Sequence, residues 1–382
     1  MTESTPASTP EPSQGKRVTW AELYFDLVFV FAITQVSALL HHDHSWAGCL
    51  RALIVFVPIY WVWVGTSIQS NLNDMNQPLS RLAIFAVALG GLFLALSVPH
   101  AYEDWGLLFA CAYWASRLVL GARLFLAPRL VLNPYTVSML ITGPLLVVGA
   151  LLDGNARVAV WLIAAVLDLS TPTLFRARLQ AMHFDAEHLA ERFGLFVLIA
   201  IGESVVAIGA PVAAQSELEA WTLIAVATAF ALSTGLWWVY FHFATDAMRH
   251  ALATATVQLN VTRHVLSYGH VAFIASIIAV SVGMTDAVNH PTSPMDHGVA
   301  ALLYGGCAVY LATFGYTRWM MFRQVATTRL TAAGVVLVLL PVAFLVDAVA
   351  ALALLAVVVA GVNLVEYRIV VRRTAAAAGS AA

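Results

Sequence analysis

Long apolar runs alternate with short polar breaks along nearly the whole chain. A helix rises 1.5 Å per residue, so about 20 apolar residues cover a hydrocarbon core. Runs of that kind fall at 19–40, 47–68, 80–100, 104–126, 134–152 and 156–175. Six more fall at 190–211, 219–244, 262–284, 298–319, 330–346 and 348–370. The pattern predicts an all-α polytopic membrane protein of about twelve transmembrane helices. The runs lack the period-two alternation of a membrane barrel, which argues against strands.

The polar breaks are asymmetric in charge. With the N-terminus placed in the cytoplasm, Lys16, Arg17, Arg81, Arg123, Arg129, Arg176, Arg178, Arg192, Arg249 and Arg263 lie on the inner side, as do Arg318, Arg323, Arg329, Arg368, Arg372 and Arg373. Only Arg51 and Arg157 fall outside, and Arg117 falls within the fourth run. Cytoplasmic segments hold the excess of Lys and Arg, so both termini are expected in the cytoplasm.

Composition sharpens the class. Of 382 residues, 61% are hydrophobic and 10% charged, against about 25% charged in soluble domains. The net charge of −2, with no basic patch, gives no sign of a nucleic-acid partner. Cys49, Cys111 and Cys307 sit in or beside apolar runs and read as small buried hydrophobes. Residues 1–16, rich in Ser, Thr, Pro and Glu, read as a disordered tail without the marks of a signal peptide, and 374–382 as a C-terminal tail.

The seventh run repeats the first. "AELYFDLVFVFAITQ" aligns with "AERFGLFVLIAIGES", placing Glu22 on Glu191 and Thr34-Gln35 on Glu203-Ser204. "YWVWVGTS" in the second run echoes "LWWVYFHF" in the eighth, and the fifth and eleventh each carry a proline in their interior. Two blocks of six crossings insert with the same orientation, so they are expected to be parallel six-helix repeats, 17–178 and 179–373. Runs one and seven are the natural candidates for a central axis, because they hold polar groups deep in the helix.

These residues resemble the bacterial low temperature requirement protein A (LtrA) family. That family has an E-L-F-F-D-L-x-F-V-x-A-I-x-Q start and a G-L-F-x-I-I-x-L-G-E-S segment; here Tyr24 replaces the first Phe, and Gly202, Glu203 and Ser204 stand at the end of the second motif. The resemblance implies a multi-pass bacterial protein linked to growth in the cold, and no substrate. A looser resemblance, through Phe25-Asp26, is to potassium channels built from six-helix repeats. It implies fold at most, and with it two chains pairing as a homodimer around a pore.

Ionisable groups inside a membrane are costly, by about 2.5 kcal/mol or more, and face protein or water. Glu22 and Asp26 share one helical face. They suit a helix N-terminus, where carboxylates meet exposed N–H groups, or a cation-attracting mouth. Glu203 is about a dozen residues into its run, near mid-bilayer, and reads as a neutral link between helices or as a proton- or cation-binding group. Arg117 is a plausible countercharge for Glu203, with Asp168 as a rival partner; the sequence leaves both open. His270 reads as a bonded core residue or a proton relay. Trp61, Trp63, Trp237 and Trp238 read as an interfacial aromatic belt. "HHDHSW" suggests a metal, but neighbouring histidines rarely converge on one ion unaided.

No Walker loop, HExxH, dinucleotide fingerprint or GxSxG is present, and no loop is long enough for a soluble catalytic domain. The chain is therefore expected to be no enzyme and to need no cofactor. The leading expectation is a transporter of ions or small solutes, its path lined by helices one and seven with Glu22, Asp26, Gln35, Glu191, Glu203, Ser204, Arg117, Asp168 and His270 as candidate groups. The cargo expected is a small cation or proton. An ion channel or a non-transporting structural or regulatory membrane protein are the alternatives.

Overall fold

The computed structural model describes residues 16–122, 132–242 and 244–380, and these are helical with no strand. The positions of Arg123, Arg129 and most of the expected N-terminal tail lie outside the described residues. In the first half, α1 (Trp20–His42), α2 (Trp46–Leu72), α3 (Pro78–Ser97) and α4 (Gly106–Gly121) are followed by an interrupted helix. That helix runs as α5 (Pro134–Val137), a π-helical segment (Ser138–Thr142) and α6 (Gly143–Ala150), before α7 (Gly154–Leu174) and a short α8 (Arg176–Leu179). The second half holds α9 (Ala186–Ala213), α10 (Ala220–Phe241), α11 (Ala244–Thr254) and α12 (Gln258–Val261). A second π segment (Thr262–Gly269) leads into α13 (His270–Asn289), followed by α14 (His297–Phe322), α15 (Thr327–Ala343) and α16 (Ala348–Ser380).

Local chemistry sets the helix ends. Thr19 and Glu22 form a capping box that starts α1: the Thr19 N–H donates to the Glu22 carboxylate at 2.8 Å, and the Glu22 N–H donates back to the Thr19 hydroxyl. Asp185 caps α9 by accepting from the His188 N–H at 3.0 Å. The first π segment precedes Pro144, which has no N–H for a regular turn; the Gly143 N–H bonds five residues back, to Ser138.

Among the described residues nine helices are long and apolar enough to cross a membrane. The apolar helices at Gly106–Gly121, Pro134–Ala150 and Thr327–Ala343 fall short of that length, where twelve full crossings are expected from hydropathy. Leu27, Leu82, Ile163, Phe230, Val338 and Val357 face outward, as side chains in lipid do. The chain is thus a multi-pass membrane protein.

Within the bundle, α1 packs on α2, α3, α9 and α13; α3 on α4; α4 on α6; α6 on α7; and α2 on α7. In the second half α9 packs on α10 and α13, α13 on α14, α14 on α15, α15 on α16, and α10 on α16. The most buried crossing is α2, ahead of α1 and α9. Residues 374–380 of the expected C-terminal tail continue α16, because the alanine-rich stretch extends the helix. Two expectations are corrected. Cys111 is exposed, since its face of α4 points outward. Arg192, Arg263 and Arg329 are buried in the bundle, so they are structural cations and not only markers of the inner side.

Candidate functional site

The seam where α1, α2 and α9 meet holds a closed set of charges. Glu22 and Asp26 on α1, and His188 and Arg192 on α9, are all fully buried. Each pair is four apart on its own helix, so both acids face α9 and both bases face α1. The Arg192 guanidinium donates to Asp26 Oδ2 at 2.7 Å, to the Glu22 carbonyl at 3.0 Å and to Ser67 Oγ at 3.2 Å. Trp63 Nε1 donates to the other Asp26 oxygen at 2.8 Å. Trp63 is therefore a buried donor and not part of an aromatic belt; it stacks on Phe196 with ring centroids 4.0 Å apart.

The hydrogen bonds also fix the state of His188. The Asn71 side-chain oxygen accepts from the Asp185 N–H at 3.1 Å, and its amide nitrogen donates to the Asp185 carbonyl at 2.9 Å. That amide nitrogen therefore also donates to His188 Nδ1, 3.1 Å away. The ring proton is left on Nε2, which donates to Glu22 at 3.0 Å. A neutral imidazole satisfies every partner in this arrangement.

Just outside the crossing segments, Lys16 donates to the carbonyls of Ser70, Asn71 and Asn73, at the negative end of α2. Burial lowers its ammonium pKa, opposed by the nearby Glu22, Asp74 and Asp185 carboxylates. Burial alone would raise Asp185, but N–H groups of His188 and Lys16 donate to it and hold it below the ordinary carboxylate value. Sequence reasoning missed His188, Lys16, Trp63 and the pairing role of Arg192. The matching four-residue spacings at 22/26 and 188/192 were the available signal.

Deeper in the same seam is Glu203. Eight residues separate Asp26 from Thr34, about 12 Å along the helix, and Thr34, whose hydroxyl donates to the Val30 carbonyl at 3.2 Å, lies beside the Glu203 carboxyl. These are the two positions the internal alignment superposes. Glu203 is 4% exposed, and its Oε2 has no hydrogen-bond partner among the described residues. Ser204 donates to the Ile201 carbonyl at 2.7 Å and lies 3.5 Å from Ser233. Gln35 is half-buried, and Glu191 is exposed. Glu191 thus does not occupy the environment of Glu22; the base next to it, Arg192, faces the seam.

Arg117 lies with Asp168 and not with Glu203. Its Nη2 is 3.8 Å from Asp168, and its Nε donates to Tyr113 Oη at 3.1 Å. Tyr113 and Ser138 in turn donate to the two Asp168 oxygens. His270 is fully buried; its Nδ1 donates to the Val265 carbonyl at 3.0 Å, and its Nε2 accepts from Tyr240 at 2.6 Å. That carbonyl lies five residues back in the second π segment, so the ring closes a backbone group the helix leaves over. At the α1–α2 junction, His44 pairs with Asp296 at 3.1 Å while His41 and His42, in the last turn of α1, are exposed, and no cluster suited to a metal ion occurs among the described residues.

Residues 17–364 match the family of the bacterial low temperature requirement A protein (LtrA). The uncharacterized protein RA0937 of Rhizobium meliloti (strain 1021) is 29% identical over 326 residues, which cover 81% of this chain and 78% of that protein. No solved structure matches.

Proposed function

The chain belongs to the bacterial low temperature requirement A family, and on that premise we propose that it is a transporter of ions or small solutes whose path follows the seam of α1 and α9. The observation that carries this reading is Glu203. A carboxyl oxygen buried in a membrane helix without a hydrogen-bond partner is costly. It is retained where a proton or cation supplies the missing partner. Thr34 provides a further oxygen beside it. On the Lys16 side the seam is shut by the Glu22–His188 and Asp26–Arg192 pairs, so the path is closed toward that end.

Twelve crossings in two parallel repeats, 17–178 and 179–373, are part of the proposal. Support comes from the packing order: α1, α2, α3, α4, α6 and α7 take neighbours in the same sequence as α9, α10, α13, α14, α15 and α16. The meeting of Thr34 with Glu203 at an aligned position supports it as well. The shorter apolar helices α4, α5–α6 and α15 serve as the remaining crossings. The basic residues support an inner-membrane protein with both termini in the cytoplasm.

The test is flux of protons, potassium and sodium in proteoliposomes of the pure protein. Wild type is expected to move at least one of these, and Glu203→Gln to lose that flux. Unchanged flux in a folded variant removes Glu203 from the path. Absence of any flux from wild type would favour a structural role instead.

A further inference from the structure

A second polar feature lies on the opposite face of α2. At 3.6 residues per turn, Tyr60, Trp63 and Ser67 share the face toward the charged seam, while Trp61, Gly65 and Ile68 share the reverse one. That reverse face borders a cavity of about 320 Å³, which α4 and both π segments also line. Two arginines line it, Arg117 and Arg263, 2% and 6% exposed.

We infer that this cavity binds a small amphipathic anion, a carboxylate or phosphate monoester on an apolar body, with the two guanidiniums holding its head. The first argument is unspent hydrogen-bonding capacity. Arg117 Nη2, Arg263 Nε and Thr262 Oγ1 are buried without hydrogen-bond partners among the described residues. Each buried polar atom left so is costly, and all three residues line the one cavity.

The second argument is charge. Asp168 offsets Arg117. Arg263 has no carboxylate within ion-pair distance among the described residues; it donates to His264 Nε2 at 2.7 Å. That imidazole uses its other nitrogen, Nδ1, to donate to Tyr316 at 2.9 Å, so it is neutral. The cavity thus carries one uncompensated positive charge in surroundings where an anion has little competition from water.

The third argument is shape. The apolar part of the lining includes Val64, Leu120, Met182, Phe184 and Leu259, which suit an apolar body. The volume is near the lower end of small-molecule sites, about 300–1,000 Å³, so a whole two-chain lipid is too large although its head could enter. Gly65 gives Arg117 its place: a Cβ there would stand 2.7 Å from Nη1. Both π segments border the same space, and such segments recur at functional sites. The site is independent of Glu203 and of the proposed transport path.

The test is titration of the full-length protein in phosphatidylcholine nanodiscs with octyl phosphate, read by tryptophan fluorescence, since Trp61 lines the cavity. Octanol and inorganic phosphate serve as the body and the head alone. Saturable binding of octyl phosphate is expected, weakened about tenfold or more in Arg263→Gln and partly restored in Arg263→Lys. Gly65→Ala, which crowds the head without changing charge, is expected to weaken it too. Equal binding of octanol, or octyl phosphate binding unchanged in a folded Arg263→Gln protein, overturns the inference. Nanodiscs containing phosphatidic acid distinguish the source. Competition with octyl phosphate, and phosphatidic acid retained by wild type but not by Arg263→Gln in native mass spectrometry, supports a lipid head. Octyl phosphate binding without such competition supports a soluble amphiphile.

Discussion

Arg192 is the residue on which the seam turns, because it serves both α1 acids at once. Arg192→Gln would leave Asp26 buried without its countercharge, a loss of roughly 3–5 kcal/mol when such a pair is broken from one side. Thermal unfolding of the purified protein in detergent should show a large drop in midpoint. The double variant Asp26→Asn/Arg192→Gln should lose less than the sum of the two single changes, since the partners are in contact. Asp185 makes a second residue-scale prediction. Its folded pKa is depressed, so its contribution to stability is present above about pH 3.8 and fades as pH falls through the folded value. Asp185→Asn should therefore lower the midpoint near neutral pH and narrow that difference in acid. The two α1 acids were legible from sequence as a helix N-terminus or a cation-attracting mouth. Their partners were not, because an arginine near a helix start looks like a topology marker and a tryptophan toward the cytoplasmic end of a run looks like an interfacial anchor. Only the fold shows that Arg192 and Trp63 point inward.

At the scale of elements, hydropathy located the helices but not their irregularities. The π segments at 138–142 and 262–269 leave no mark in an apolar pattern, because one extra residue in a turn does not change mean hydropathy. Pro144 hinted at the first; nothing comparable marks the second, where the His270 ring takes up the leftover carbonyl. The first depends on a close approach. A Cβ at Gly143 would meet Trp114 Cδ1 at 2.2 Å, and Trp114 donates to the Met139 carbonyl of the same segment at 2.8 Å. Gly143→Ala should push Trp114 away and cost about 1–3 kcal/mol, as overpacking does. Gly202→Ala, with nothing within 4 Å, should be nearly neutral by the same thermal assay. The choice of Asp168 over Glu203 as partner of Arg117 is also an element-scale result. It follows from α4 packing on the α5–α6 helix, which in turn packs on α7, an arrangement that spacing along the chain does not encode.

For the molecule as a whole, class and membrane character were readable from composition, since a chain with so few charges cannot clothe itself for water. The proposed orientation has its own check. Green fluorescent protein fused after residue 382 should fluoresce in living bacteria, whereas alkaline phosphatase fused there should be inactive; the reverse pair of results would overturn a cytoplasmic C-terminus. Charge counting alone was less secure than it looked, because three of the inner-side arginines it used are buried among helices. The whole assembly also gives α2 an unusual position, with every residue from Ile54 to Ser67 buried. Most membrane helices keep one side for lipid, where drift between apolar residues goes unpunished. In a saturation mutagenesis scan, tolerance along α1 and α10 should rise and fall every three to four residues, while along 54–67 that rhythm should vanish into an unbroken intolerant block. Such a block would make α2 the slowest-changing crossing of the protein over evolutionary time.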